Sequence, residues 1–396
     1  MKTGNSADAL TAAASDPAAL GAQILLVNAC MFVFGIVLLL MGSLLPALRV
    51  SAAHAGSLGS LPLAGVLIAT IVIGPVFDKA GAKLILAVSL VLVAGALAIM
   101  PWLSTYPALA AAAIAYGLGG GILNTVANAI VSVLRASSRA SSLNLLGFSF
   151  SLGAIAAPLL MSVAHGRLSS AATLRLLAAA PALILLLLLP MRFPPGLRAG
   201  TPPRVLLRSL LHPAIWIFAT LLLFESANEN CVFVWAGKLT ADIFDVSGNR
   251  ADLALVAVTV ALGAGRLLAS FVSHRLNGRA LLLLSCALLV SGSGIAAISA
   301  PAHNGYAGMI AGFSILSLGM APIFPTTLAI AGDRFPSETG TVFGAIMAVA
   351  LIGGTTGPML GGWLAARSTV EVLCVPVVAA VAVALLAPFA SAVHHG

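Results

Sequence analysis

An all-α membrane protein, with twelve transmembrane helices in two pseudo-symmetric six-helix bundles, is the fold class that three observations predict. Apolar residues make up 60% of the 396 and charged residues only 8%, with a mean hydropathy of +1.12. A soluble domain carries about 25% charged residues. Apolar stretches near the ~20 residues needed to cross a bilayer recur along the whole chain. One loop of linker composition, holding Pro194, Pro195, Pro202 and Pro203 among arginines, divides them six and six.

Only helices and closed barrels satisfy their backbone in lipid, and the apolar runs lack the period-two alternation of barrel strands. The spans are therefore read as helices, near 22–46, 57–77, 82–101, 107–134, 141–165, 173–191, 213–237, 251–273, 279–300, 304–331, 338–366 and 369–391. Residues 1–20 are alanine-rich, with Asp8 and Asp16 against Lys2 alone, and lack the basic start and cleavage site of a signal peptide. They are expected to form a cytoplasmic tail. The domains then read as a first bundle over 21–191, a cytoplasmic linker over 192–211, a second bundle over 212–391 and a short tail over 392–396.

Orientation follows from the basic residues. With the N-terminus in the cytoplasm, Arg49, Arg167, Arg175, Lys238, Arg250 and Arg367 fall outside, and the remaining thirteen of the 19 Lys and Arg, Arg266 among them, fall inside. That asymmetry predicts both termini in the cytoplasm of a multi-pass protein, with a bacterial inner membrane as the expected location. It also accounts for the net charge of +8 without a nucleic-acid partner. Cys30, Cys231, Cys286 and Cys374 each stand alone in apolar runs, which favours core packing over a disulfide framework or a metal cluster.

The halves repeat. A shift of 200 positions lays Gly119 on Gly319, Gly153 on Gly353, Pro158 on Pro358 and Arg167 on Arg367, and a shift of 196 lays Lys79 and Lys83 on Arg275 and Arg279. Both shifts are near half the chain, as a duplicated bundle requires.

Between spans two and three the sequence reads GPVFDKAGAK, Gly74 to Lys83. This closely resembles the G-x-x-x-D-[RK]-x-G-x-[RK] signature of the major facilitator superfamily. The second copy, Ser270 to Arg279, keeps the basic residues but has Ser270, His274 and Asn277 in place of Gly, Asp and Gly. The resemblance implies a conformational latch made by Gly74, Asp78, Lys79, Gly81 and Lys83, with Arg275 in the second copy and a partner near Arg334, Ser337 and Glu338. Pro336 followed by Ser337 is a helix-start signal there. Within the superfamily, Glu229 followed six residues later by Trp235 is similar to the fucose-permease branch of sugar and proton symporters. That branch carries acids in spans one and four, where this chain has Asn28, Asn124 and Asn128.

Glu225 and Glu229 stand one turn apart inside span seven, and a carboxylate at membrane depth is by default functional. At 100° per residue, Glu225, Asn228, Glu229 and Trp235 occupy a stripe about 120° wide. The stripe is expected to face the junction of the halves, with Glu225 about 18 Å and Glu229 about 24 Å from the cytoplasmic end at 1.5 Å per residue. Burial favours a neutral carboxyl, so Glu225 and Glu229 are the candidates for proton coupling. Asn28, Asn124, Asn128, Asn228, Glu229 and Trp235 are the candidates for substrate binding. Each asparagine could equally be an interhelical hydrogen bond, and Trp235 an interfacial anchor. Pro322 and Pro325 are expected to break span ten and gate the cavity.

All seven histidines fall at span ends or tails, and no nucleophile–base pair can be placed at one depth, so no metal, no cofactor and no enzymatic activity are expected. The leading expectation is a monomeric carrier of a small hydroxylated solute, driven by protons across the lipid bilayer. A proton-coupled exporter of lipophilic or cationic compounds and a non-transporting membrane sensor or scaffold are the alternatives.

Overall fold

A computed structural model describes residues 17–48, 50–135, 139–193, 213–246, 249–272, 275–302, 305–335 and 339–392. Twelve helical segments among them are long and apolar enough to cross a membrane. In chain order they are span one, Pro17–Leu44; two, Ala52–Ala80; three, Ala82–Ile99; four, Tyr106–Leu134; five, Arg139–Ala164; and six, Ser170–Leu188. The second set is span seven, Pro213–Phe244; eight, Asn249–Val272; nine, Gly278–Ser299; ten, in two pieces, Tyr306–Met320 and Ile323–Arg334; eleven, Thr339–Ala365; and twelve, Cys374–Ala392. Most of the linker, with all four of its prolines, lies outside the described residues, as do Ser337, Glu338 and His274.

Local chemistry sets the ends. Ser169 caps span six by accepting from the Ala172 amide at 3.1 Å, and Asn277 caps span nine from Ala280 at 2.8 Å. Gly81 turns the chain between spans two and three at φ +80°, a conformation that only glycine adopts without strain. Lys83, assigned to the latch, reaches the carbonyl of Leu189 at the end of span six at 2.5 Å, a cation on a helix C-terminus. Arg275 and Arg334 are exposed, and the side chains of Gly74, Asp78 and Lys79 lie outside the described residues.

Span ten breaks at Ala321–Pro322, where the sequence predicted it, because Pro322 and Pro325 cannot donate to the helix. Pro158, Pro181, Pro358 and Pro388 instead stay within continuous helices. The outward faces are apolar, with Leu25, Phe271, Ile298, Leu385 and Phe389 more than 60% exposed. Such faces need lipid.

By contact the chain forms two compact units. The first is Met1–Leu38, Ala64–Ala157 and Leu168–Gly200; the second is Leu39–Leu63, Pro158–Arg167 and Thr201–Gly396. This division differs from the sequence halves, since spans one and five pass from the first unit into the second and span two from the second into the first.

The repeat is visible in the packing of each unit. In the first, a methyl built on Gly119 would meet the Ser89 carbonyl oxygen at 2.7 Å; in the second, one on Gly319 would meet that of Ser285 at 2.8 Å. Gly153 presses on the backbone of Phe32 in span one, and Gly353 on that of Leu223 in span seven. Small residues let helix backbones approach in lipid, where burying apolar side chains gains little.

Candidate functional site

Span seven carries the acids, and its neighbours in the second unit decide what each can do. Glu225 is fully buried, and neither carboxyl oxygen has a hydrogen-bond partner. Asn228, three residues on and also fully buried, leaves both ends of its amide unpartnered. The two side chains share a helix face, yet neither satisfies the other with good geometry. Cys286 of span nine and Glu229 lie within electrostatic reach of Glu225. Buried polar groups are normally paired, so two adjacent orphans are a marked exception.

Glu229 is half-buried and lies within electrostatic reach of Arg266 on span eight. The sequence reading counted Arg266 as a cytoplasmic loop charge. The structure corrects this: the residue is inside the span-eight helix, half-buried. Spans seven and eight run in opposite directions, and at 1.5 Å per residue Glu229 lies about 22 Å and Arg266 about 25 Å from their shared loop. Matched depth makes Arg266 the internal counter-charge of Glu229.

Trp235 is fully buried, and its indole N–H donates to the Pro358 carbonyl of span eleven at 3.0 Å. Ser226 and Asn230 bond to one another on the same helix and pack beside Gly354 of span eleven. The stripe residues therefore meet different neighbours. Glu225 neighbours span nine, Glu229 span eight and Trp235 span eleven, because the second unit wraps span seven on several sides at once.

In the first unit, Asn28 is tied on both sides. Its amide donates to the Ile24 carbonyl at 2.8 Å and its oxygen accepts from Ser149 of span five at 2.9 Å. The pair borders a cavity of about 310 Å³ together with Arg135, Leu145 and Phe148. Asn128 donates to the Asn124 side chain at 3.0 Å, and both are half-buried on one face of span four. Asn124 keeps its own amide nitrogen for a further partner.

Trp235 is thus held inside the second unit, whereas two other tryptophans lie against guanidinium groups. The Arg175 guanidinium lies 4.9 Å from the ring centre of Trp102, and that of Arg367 lies 3.9 Å from Trp363. Three cysteines are buried, but Cys374 is exposed at the start of span twelve. Among the described residues no group of three His, Cys, Asp or Glu could hold a metal.

A family model described as Major Facilitator Superfamily matches residues 24–304 and again 226–394. No curated protein sequence matches the chain. Solved structures share its fold at low identity. The nucleoside transporter NupG is 15% identical with a TM-score of 0.76, over 96% of this chain and 99% of that one. A bacterial homolog of the human lysosomal transporter Spinster, inward-facing and unoccupied, is 14% identical with a TM-score of 0.70, over 96% and 98%. A D-xylose-proton symporter is 18% identical with a TM-score of 0.69, over 91% and 96%. At these identities the likeness is one of fold alone. The matches carry the resemblance to the superfamily and do not reach its fucose-permease branch.

Proposed function

We propose that this chain, which belongs to the major facilitator superfamily, moves a small polar solute, a sugar or related hydroxylated compound, by proton-coupled alternating access. It is an integral multi-pass membrane protein and a transporter of that superfamily. The observation that carries the finer reading is the orphaned carboxyl of Glu225, fully buried inside the bundle. A charged carboxylate without partners costs several kcal/mol in such surroundings, and a proton removes most of that cost. Glu225 is therefore assigned the transported proton. Glu229, with Arg266 as counter-charge, keeps a charged pair beside it that can re-form as the proton comes and goes.

Asn124, Asn128 and Asn228 are assigned to the solute, since carboxamides present both donors and acceptors to hydroxyl groups. Asn28 is assigned to holding spans one and five together, and Trp235 to packing. That nucleoside and D-xylose transporters share the fold supports a solute of this kind. The loop from Gly74 to Lys83, with Asp78 at its centre, is assigned to the conformational latch. We place both termini in the cytoplasm of a bacterial inner membrane and take the carrier to act as a monomer.

Counterflow in proteoliposomes tests the reading. D-xylose or a nucleoside should exchange without a pH gradient and accumulate when the source compartment is acidic. Glu225→Gln should retain exchange and lose accumulation. Extrusion of cationic dyes, with no counterflow of sugar or nucleoside, overturns the proposal in favour of an exporter.

A further inference from the structure

The end of span five and the start of span eight are joined twice by side chains. The Ser162 hydroxyl, buried, donates to the side-chain oxygen of Asn249. Three residues further along each segment, His165 Nδ1 stands 4.0 Å from Asp252 Oδ2, with the His165 side chain 54% exposed and that of Asp252 8%. All four residues belong to the second unit, although Ser162 and His165 come from the first half of the sequence.

The same unit contains the symmetry-related joint. The repeat equates span five with eleven and span two with eight, so a contact of two with eleven is the counterpart of five with eight. There a methyl on Gly56 would meet the Gly362 Cα at 2.6 Å. At that point one joint is backbone against backbone. Its counterpart is built from hydrogen-bonding and ionisable side chains, among them a histidine that meets water.

We propose that Ser162, His165, Asn249 and Asp252 form a proton-operated clasp between the two sequence halves, closed while His165 is charged and loosened once it is neutral. Imidazole is the side chain whose ordinary charge change falls between about pH 5 and 8. An imidazolium attracts the shielded Asp252 carboxylate, and a neutral ring offers it at most one hydrogen bond. The closed joint is therefore strongest where ring and carboxyl are both charged; it weakens toward alkaline pH as the ring loses its proton, and in stronger acid as the shielded carboxyl takes one up. Basic residues flank the pair in sequence: Arg167, exposed two residues beyond His165, and Arg250, whose backbone carbonyl accepts from the Tyr306 hydroxyl of span ten at 2.9 Å. Both are guanidinium groups, so the imidazole and carboxyl of the pair together set the response. Because the His165 side chain is exposed, the clasp reads the pH of one compartment directly. It uses none of the span-seven acids and stands independently of the transport reading.

The test needs no substrate. Spin labels are placed on the exposed positions as Val163→Cys and Leu253→Cys, with the exposed Cys374 replaced by Ala, in the full chain in lipid nanodiscs. Dipolar broadening should show a close population at pH 6 that falls at least twofold at pH 8. His165→Ala and Asp252→Asn should each abolish the pH response, and His165→Lys should keep the labels close at both pH values. The lysine variant keeps the test decisive should the alanine variant fail to fold. Identical spectra at pH 6 and 8 without those substitutions, or a pH response that survives Asp252→Asn, overturns the proposal.

Discussion

The indole of Trp235 in span seven donates a 3.0 Å hydrogen bond to the carbonyl of Pro358 in span eleven, across a gap that Gly361 keeps open. A methyl on Gly361 would sit 2.8 Å from the indole nitrogen. Donor, acceptor and spacer thus form one unit of packing. Trp235→Phe removes the indole N–H together with the pyrrole half of the ring system from a fully buried site, so it should cost about 2–4 kcal/mol. Gly361→Ala forces the indole aside and should cost about 1–3 kcal/mol. Thermal unfolding in detergent, followed by fluorescence size exclusion, should show the larger loss for Trp235→Phe.

Glu225→Gln replaces one neutral hydrogen-bonding group by another of the same shape, so the fold should remain and melting should shift by less than about 1 kcal/mol equivalent. Glu225→Asp moves the carboxyl by one methylene and should retain part of the pH-gradient response. Uptake at several imposed gradients checks both, and Glu225→Gln vesicles that still accumulate solute uphill would remove Glu225 from the coupling step.

Arg266→Gln leaves Glu229 without its counter-charge. Because both side chains are only half-buried, the loss should be about 2 kcal/mol, between the ranges for exposed and buried pairs. Adding Glu229→Gln should recover most of it. A double-mutant cycle on melting temperature measures the coupling, and an additive result would show that the two side chains act independently.

Gly119→Ala and Gly319→Ala put a methyl within 2.7 and 2.8 Å of the carbonyl oxygens of Ser89 and Ser285. Backbone cannot yield as a side chain does, so each should destabilise its unit by about 1–3 kcal/mol. Equal losses of folded yield from the two variants are expected, since the two positions make the same contact in the two repeats.

The number of spans, the break in span ten and the glycine pairs of the repeat could be read from the sequence because each has a local or periodic signature. Hydrophobic length marks a span, proline marks a break, and a fixed offset marks duplication. Tertiary partners have no such signature. Arg266 lay within a stretch already recognised as a span and was still counted with the loop charges, because nothing in its own neighbourhood points to Glu229. Trp235, a candidate for substrate binding, has as its acceptor a main-chain oxygen 123 residues away. A helical wheel gives directions from one axis only, and span seven has neighbours on several sides.

The interruption at Ala321–Pro322 has one more effect. Pro322 and Pro325 withhold the N–H groups that would otherwise serve the carbonyls of Leu318 and Ala321. Two main-chain oxygens are thus released about 20 Å from either end of the span, at 1.5 Å per residue. Two half-helix termini meet there with their partial charges opposed. Span ten in this way brings a fixed, pH-insensitive dipole to mid-membrane, so a passing hydroxyl could be desolvated there without drawing on any ionisable side chain.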